Sequence, residues 1–349
     1  MEIMIIGGTN FIGPYVVRRL SELGHRVTIF HRGKTTTELP PGVTEIKGDR
    51  ANLLDMRSDF SRIAPDVVLD MVAYTEEQAQ TAIDTFRGIA GRIVVISSMD
   101  VYRAYGIILG LESGIEPVPI TEESRLREKL YPFQNLPQRP LNAPADYEKI
   151  LVEKAVMADA KLADKLPGTV LRLPMVYGPG DPLHRLEPFL SRMDDNRSAI
   201  VVEENVARWR SSWGYVENVA EAIALTATDD RAKGRIYNVC DPRVFSEAER
   251  IDFIKELAAW EGRLLLASPD RLPTEWQLPL NVSQDWLIDS NRIREELGYS
   301  EIVSLDEGFK RAIDWQRSQP SRDGAMQTAP YLLDYATEDA LLGVLSFEF

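Results

Sequence analysis

Ile5-Ile6-Gly7-Gly8-Thr9-Asn10-Phe11-Ile12-Gly13 is the stretch on which the reading of this chain turns. A short apolar strand, Glu2–Ile6, runs into it. A helical pattern over 11–23 runs out of it, with Val16, Val17, Leu20 and Leu23 at helical spacing and Gly24 placed to end the helix. A glycine-rich turn between strand and helix offers free helix N–H groups and the positive end of the helix dipole. That environment suits a dinucleotide pyrophosphate. Gly7 permits the tight turn and Gly13 permits close packing of helix on strand, with Thr9, Asn10, Phe11 and Ile12 completing the loop. The competing reading is a turn made for packing alone.

Outward from this loop, strand-like and helical patterns alternate. Strands are expected over 26–31 and 44–47, and nearly continuous apolar runs over 66–72 and 92–98 suit strands buried on both faces. A helix fits 76–86, a long helix 147–166, and a further buried strand 168–173. Repeated strand–helix–strand order predicts an α/β fold with a doubly wound parallel sheet. Residues 106–145, carrying Pro117, Pro119, Pro132, Pro137, Pro140 and Pro144, are expected to form a long surface excursion near the site. After Gly178 the alternation breaks down. Helical patterns at 218–226, 247–260, 291–297 and 305–315 surround one strand at 235–239. The expected organisation is a dinucleotide-binding domain over 1–177, rejoined by 212–241. A smaller, discontinuous substrate domain would comprise 178–211 and 242–331, and 332–349 would form a tail that docks or meets a partner.

The 349 residues are 44% hydrophobic and 27% charged, ordinary for a folded globular protein. Forty Lys and Arg stand against 54 Asp and Glu, for a formal charge of −14. A general nucleic-acid binder needs a cationic surface, so nucleic acid is not the expected partner. Cys240 is the single cysteine, and His25, His31 and His184 are scattered, so neither a disulfide framework nor a metal site is expected. The amino terminus reads as a strand rather than a signal peptide, and no apolar run approaches the ~20 residues of a membrane span. A cytoplasmic location is the expectation, with no membrane partner and a homodimer left open.

The second strand ends Phe30-His31-Arg32-Gly33-Lys34. A site choosing NAD places an acid there for the ribose hydroxyls. Arg32 and Lys34 instead suit a 2′-phosphate, which favours NADP over NAD. Asp49, after the third strand, is either a contact for the adenine amino group or a turn acid.

With these motifs in order, the chain resembles the extended short-chain dehydrogenases/reductases, the group of nucleotide-sugar epimerases and dehydratases, over roughly residues 1–315. Gly7 to Gly13 resembles the family's glycine motif, with Asn10 where the middle glycine is usual; Asn tolerates left-handed backbone, so the loop can form. Val94-Val95-Ile96-Ser97-Ser98-Met99-Asp100-Val101-Tyr102 resembles the strand carrying the catalytic Ser or Thr, which falls on Ser98. Leu171-Arg172-Leu173-Pro174-Met175-Val176-Tyr177-Gly178 resembles the segment lining the nicotinamide, with Pro174 among its contacts, and Tyr215-Val216-Glu217-Asn218 the helix start that returns to the Rossmann domain. The Asn10 variant resembles the atypical branch, which includes chloroplast stem-loop RNA-binding proteins.

The resemblance implies NADP or NAD as cofactor, a small-molecule substrate such as a nucleotide sugar, and epimerisation, dehydration or reduction through hydride transfer. Ser98 would hold the substrate and Lys149 the cofactor ribose. The family places a Tyr four residues before that Lys, but here that position is Ala145. Tyr147 lies only two residues before Lys149, on the opposite face of a regular helix. It can serve as the acid/base if Pro144 delays the helix. Asp100 and Tyr102 are the alternative proton carriers. Arg208 and Arg210 stand close to where the family carries a diphosphate-binding Arg, suited to bidentate contacts, with Trp209 and Trp213 alternating beside them. The rival reading keeps the dinucleotide fold without the chemistry, as a non-catalytic dinucleotide-binding or RNA-binding protein.

Overall fold

The computed structural model describes residues 1–35, 37–135, 139, 143–159, 166–320 and 334–345. The calls on 136–138 and 140–142 of the excursion, 160–165 of the long helix, 321–331 of the substrate domain, and 332–333 and 346–349 of the tail lie outside the described residues. In chain order the first half runs β1 (Glu2–Ile6), α1 (Ile12–Glu22), β2 (Arg26–His31), β3 (Thr44–Lys47), α2 (Arg57–Ile63), β4 (Val67–Asp70), α3 (Glu76–Phe86), β5 (Arg92–Ser98), α4 (Arg103–Ile108), α5 (Lys149–Asp159) and β6 (Gly168–Leu173). The second half adds β7 (Met175–Tyr177), α6 (Glu187–Asp194), β8 (Ala199–Glu203), α7 (Glu204–Arg208), β9 (Arg210–Ser211), β10 (Trp213–Tyr215), α8 (Val216–Thr228) and β11 (Ile236–Asn238). The chain closes with β12 (Phe245–Ser246), α9 (Glu247–Ala258), β13 (Arg263–Ala267), α10 (Asn291–Leu297), α11 (Leu305–Ser318) and α12 (Tyr335–Leu345).

Seven strands form one parallel sheet in the order β11-β6-β5-β4-β1-β2-β3. The strand order reverses direction between β1 and β4, so the loops after these two strands open the crevice where a doubly wound fold binds its ligand. The central strands are apolar on both faces because helices cover both. Ile3, Ile5, Val67, Leu69, Val94 and Leu171 pack in one cluster, and Met4, Ile6, Val68, Ile93, Val95 and Val170 in the other. α3 starts at Thr75, whose hydroxyl accepts from Gln78 N (3.2 Å), with Glu76 and Glu77 in its first turn against the helix dipole.

Three expectations are corrected. The long helix begins at Lys149 rather than at 147, because Ala145 and Asp146 form a turn and Tyr147 N bonds Pro144 O (3.1 Å). Residues 106–145 are not simply a surface excursion: Ile107, Ile108, Glu116, Ile120, Arg127 and Phe133 are buried. The second half is also richer in strands than expected, since β8 and β13 pair in parallel outside the main sheet.

The tail's described part, α12, lies against its own chain. Glu338 is buried between Arg192 and Arg197, and Tyr335 OH donates to Asp195 Oδ2 (2.6 Å). Cys240, just after β11, is buried and donates to Ile288 O (3.3 Å) and Ser290 Oγ (3.4 Å), tying that strand end to the approach to α10.

Candidate active site

The loop after β1 is built from backbone. Gly7 and Gly8 take φ of 96° and 84°, and Gly7 N donates to Phe30 O (2.9 Å), joining the loop to β2. A Cβ on Gly13 would lie 2.4 Å from the Gly8 carbonyl carbon, so only hydrogen fits where α1 meets the loop. The left-handed backbone expected at Asn10 falls instead on Phe11, at φ 42°. Phe11 is held there by packing: its ring faces Gly180, and Tyr15 OH, one turn into α1, donates to Pro179 O (3.0 Å). Asn10 stands exposed at the rim, and Thr9 and Ile12 are half-buried. This bare cradle at a helix N-terminus fits a pyrophosphate, and Gly7, Gly8, Thr9 and Ile12 would line it.

Arg32 and Lys34 are exposed beyond the end of β2. Asp49 accepts from Ala51 N (3.0 Å), as a turn acid does. Next to it Arg50 reaches back to the fully buried Asp70 at the end of β4 (3.0 and 3.2 Å). Sequence reasoning passed over this pair. It also passed over Tyr74, whose phenol burial pushes up, assisted by Asp70, while Arg50 and Arg32 pull it down. Tyr74 N donates to Gln78 Oε1 (2.8 Å). Lys149 Nζ lies 4.8 Å from the centre of the Tyr74 ring.

Lys149, at the first turn of α5, is buried. Its Nζ donates to Ala73 O (2.6 Å) and Ile96 O (2.8 Å), which anchors it between the ends of β4 and β5. Burial pushes its ammonium down to about 8, against the pull of Asp100 and Asp70. Ser98 ends β5, and its Oγ accepts from Asp100 N (3.2 Å). Asp100 is buried; Oδ2 accepts from Tyr147 OH (2.7 Å), and Oδ1 has no partner among the described residues. Burial raises the Asp100 carboxyl, opposed by Arg127, Tyr147 and Lys149, while burial beside Asp100 holds the Tyr147 phenol well above its usual range. Tyr147 reaches Asp100 because residues 145 and 146 are not helical. The rings of Tyr74 and Phe133 flank it at 6.0 and 5.0 Å.

Tyr102 is placed differently. It is fully buried, donates to Asn238 Oδ1 (2.6 Å) and accepts from Arg172 Nη1 (2.9 Å), while Arg172 is bound to Glu153. Burial pushes its phenol up to about 12. It belongs to a cross-sheet network, and its proton is committed there. Arg208 and Arg210, expected to face substrate, are directed elsewhere: Arg208 pairs with Glu204 and Asn205, and Arg210 with Asp285 (2.6 Å). Trp209 donates to Gln284 O (2.8 Å), and Trp213 carries the Arg250 guanidinium over its ring. Pro174 is buried between β6 and β7, against Gly214. Among the described residues no cluster of His, Cys, Asp or Glu could hold a metal ion, and no helix is long and apolar enough to cross a membrane.

Residues 3–240 match the family described as "NAD dependent epimerase/dehydratase family". A 2-alkyl-3-oxoalkanoate reductase of Stenotrophomonas maltophilia is 31% identical, over 89% of this chain and 98% of that protein. A 2′-dehydrokanamycin reductase of Streptomyces kanamyceticus is 24% identical, over 95% and 94%. The chain spans only 56% and 58% of two further relatives, each 25% identical: the uncharacterized protein y4nL of Sinorhizobium fredii and the chloroplast stem-loop binding protein of 41 kDa b of Arabidopsis thaliana. Among solved structures, the UDP-glucose 4-epimerase of Thermotoga maritima shares the fold, with a TM-score of 0.64 at 18% identity over 91% of this chain and 99% of that one. The cradle at the sheet's crossover point and the match over 3–240 agree, and the chain belongs to the NAD dependent epimerase/dehydratase family of enzymes.

Proposed function

We propose that this enzyme carries out dinucleotide-dependent hydride transfer at an alcohol or carbonyl carbon of a nucleotide sugar or similar small polar substrate, with Asp100 and Tyr147 as its proton-transfer pair. One observation carries the reading. The Tyr147 phenol sits on a buried carboxylate whose second oxygen has no partner, beside Ser98 and Lys149. A carboxylate left half-satisfied in the interior costs stability, and groups held at such a cost cluster at functional sites.

When bound, the nicotinamide supplies hydride chemistry that no side chain can. The chain's own residues divide the rest. Ser98 Oγ orients the reacting oxygen. In the oxidative direction the substrate hydroxyl loses its proton to the Tyr147 oxygen as Tyr147 passes its own to Asp100; reduction runs the same path in reverse. Burial makes Asp100 a better proton acceptor than an exposed carboxylate. Lys149 keeps one N–H free of its two carbonyl contacts for a ribose hydroxyl. Arg32 and Lys34 favour NADP.

The test is turnover by the purified protein with NAD or NADP and a panel of UDP- and dTDP-sugars. Tyr147→Phe should lower the rate by ~10²–10⁴-fold while leaving dinucleotide affinity unchanged. A rate within a few-fold of wild type would reject Tyr147. Tight dinucleotide binding with no turnover of any nucleotide sugar would favour the non-catalytic reading.

A further inference from the structure

One side chain from the excursion before α5 ends inside the site. Arg127 and Glu148 are both fully buried and face each other through paired contacts: Nη2 to Oε1 (3.1 Å) and Nη1 to Oε2 (3.3 Å). Arg127 also donates from Nε to the main-chain oxygen of Asp100 (2.6 Å) and from Nη1 to Lys129 O (2.6 Å). Its own N–H bonds Val101 O (2.8 Å). Glu148 additionally accepts from Tyr131 N (2.7 Å) and Ile150 N (2.9 Å), the latter in the manner of a helix cap, and its N–H donates to Tyr74 O (2.9 Å).

These bonds meet on both sides of the proposed proton-transfer pair. Asp100 is gripped by its carbonyl, and Tyr147 precedes Glu148 directly. We propose that Arg127 and Glu148 are positioning residues, a buried clamp that holds the Tyr147 phenol on the Asp100 carboxylate. The inference rests on the reading of those two as proton carriers. A buried ion pair is weak evidence for stability, since apolar residues of similar size often replace one at little cost. The planar fork of Arg, satisfying a carboxylate and two carbonyls together, supplies geometry instead.

The clamp has an electrostatic consequence as well. The groups acting on the Asp100 carboxyl are Tyr147, Lys149, Ser98 from β5, Tyr105 from α4 and Arg127. Arg127 is a cation bonded to the residue's own main chain, and it favours the ionised form.

Nuclear magnetic resonance on the full chain, with carboxyl-labelled aspartate and ring-labelled tyrosine, tests this without a substrate. Asp100→Asn and Tyr147→Phe identify the two signals. In Arg127→Met/Glu148→Met, the Asp100 titration midpoint should rise, since Arg127 is the largest charge holding it down, and the Tyr147 signal should move toward that of a free phenol. Arg127→Lys keeps the charge and loses the fork. Its Asp100 midpoint should stay near wild type while the Tyr147 signal still moves. Thermal melts and NAD⁺ affinity confirm that each variant folds. Should the double variant not fold, the Tyr147 signal in Arg127→Lys decides. Unmoved Tyr147 and Asp100 signals in folded variants would overturn the clamp. Absence of wild-type turnover would reject the proposed function and leave this measurement standing.

Discussion

The two ends of the crevice are built from opposite materials. At the β1–α1 end the proposed phosphate cradle is main chain: two glycines with left-handed backbone, and a third whose Cβ would strike the Gly8 carbonyl carbon. At the β5–α5 end the proposed site is built from buried side chains, Asp100, Tyr147 and Lys149, with the Arg127–Glu148 pair behind them. The first end is specified by what is missing from the residues. The second is specified by contacts between residues distant in sequence. Steric change should therefore be ruinous at one end, and neutral isosteres harmful at the other.

The largest expected effect tests the first half of that contrast. Gly13→Val should abolish dinucleotide binding, as read by calorimetry, because backbone cannot move aside as a flexible side chain can. Undiminished affinity would break the comparison. Arg32→Asp is a milder probe of the same end. Losing a charge-assisted phosphate contact should weaken NADP by roughly ten- to hundred-fold and leave NAD less affected. Equal loss for both would make the basic turn a surface feature only.

The smallest effect sharpens the second half, through another buried acid. Asp241, after β11, accepts from Tyr215 N (3.2 Å), and burial pushes its carboxyl up to about 7. An unfolded Asp titrates near ~3.9, so between about pH 4 and 7 the folded chain holds a proton that the unfolded chain has released. Stability then falls as pH rises through that window and is level above it. Asp241→Asn should remove the slope, stabilising the protein by on the order of 2 kcal/mol more at pH 8 than at pH 5. Turnover should be unchanged. A melt series that keeps the wild-type slope would show that the carboxyl is not held protonated.

The same contrast explains what could be read from sequence. The central strands of the main sheet were legible because both faces are covered, leaving apolar runs such as Ile93–Ile96 within β5. The phosphate loop was legible because glycine placement is local. β8 and β13 were missed although Ala199–Glu203 and Arg263–Ala267 each carry four apolar residues in a row, because neither belongs to the alternating pattern. Tyr147 was placed conditionally, since Pro144 signals a delayed helix but cannot say what the phenol meets. Arg127, Glu148 and Tyr74 carried no signal: Arg127, a charged residue in a proline-rich stretch, reads as surface, and only the folded chain brings it to Asp100. Arg208 and Arg210 went the other way, plausible by position yet paired with Glu204 and Asp285.

The lone thiol of Cys240 gives the molecule a built-in clock. Burial pushes it up to about 12, so in the closed protein it is almost entirely un-ionised and shielded from reagents. Labelling must wait for the contact between the end of β11 and the 288–290 segment to part. With one cysteine in the sequence, every modified molecule reports that single event. The rate at which a thiol reagent is consumed thus measures how often this seam breathes, and whether a bound dinucleotide slows it, with no engineered label.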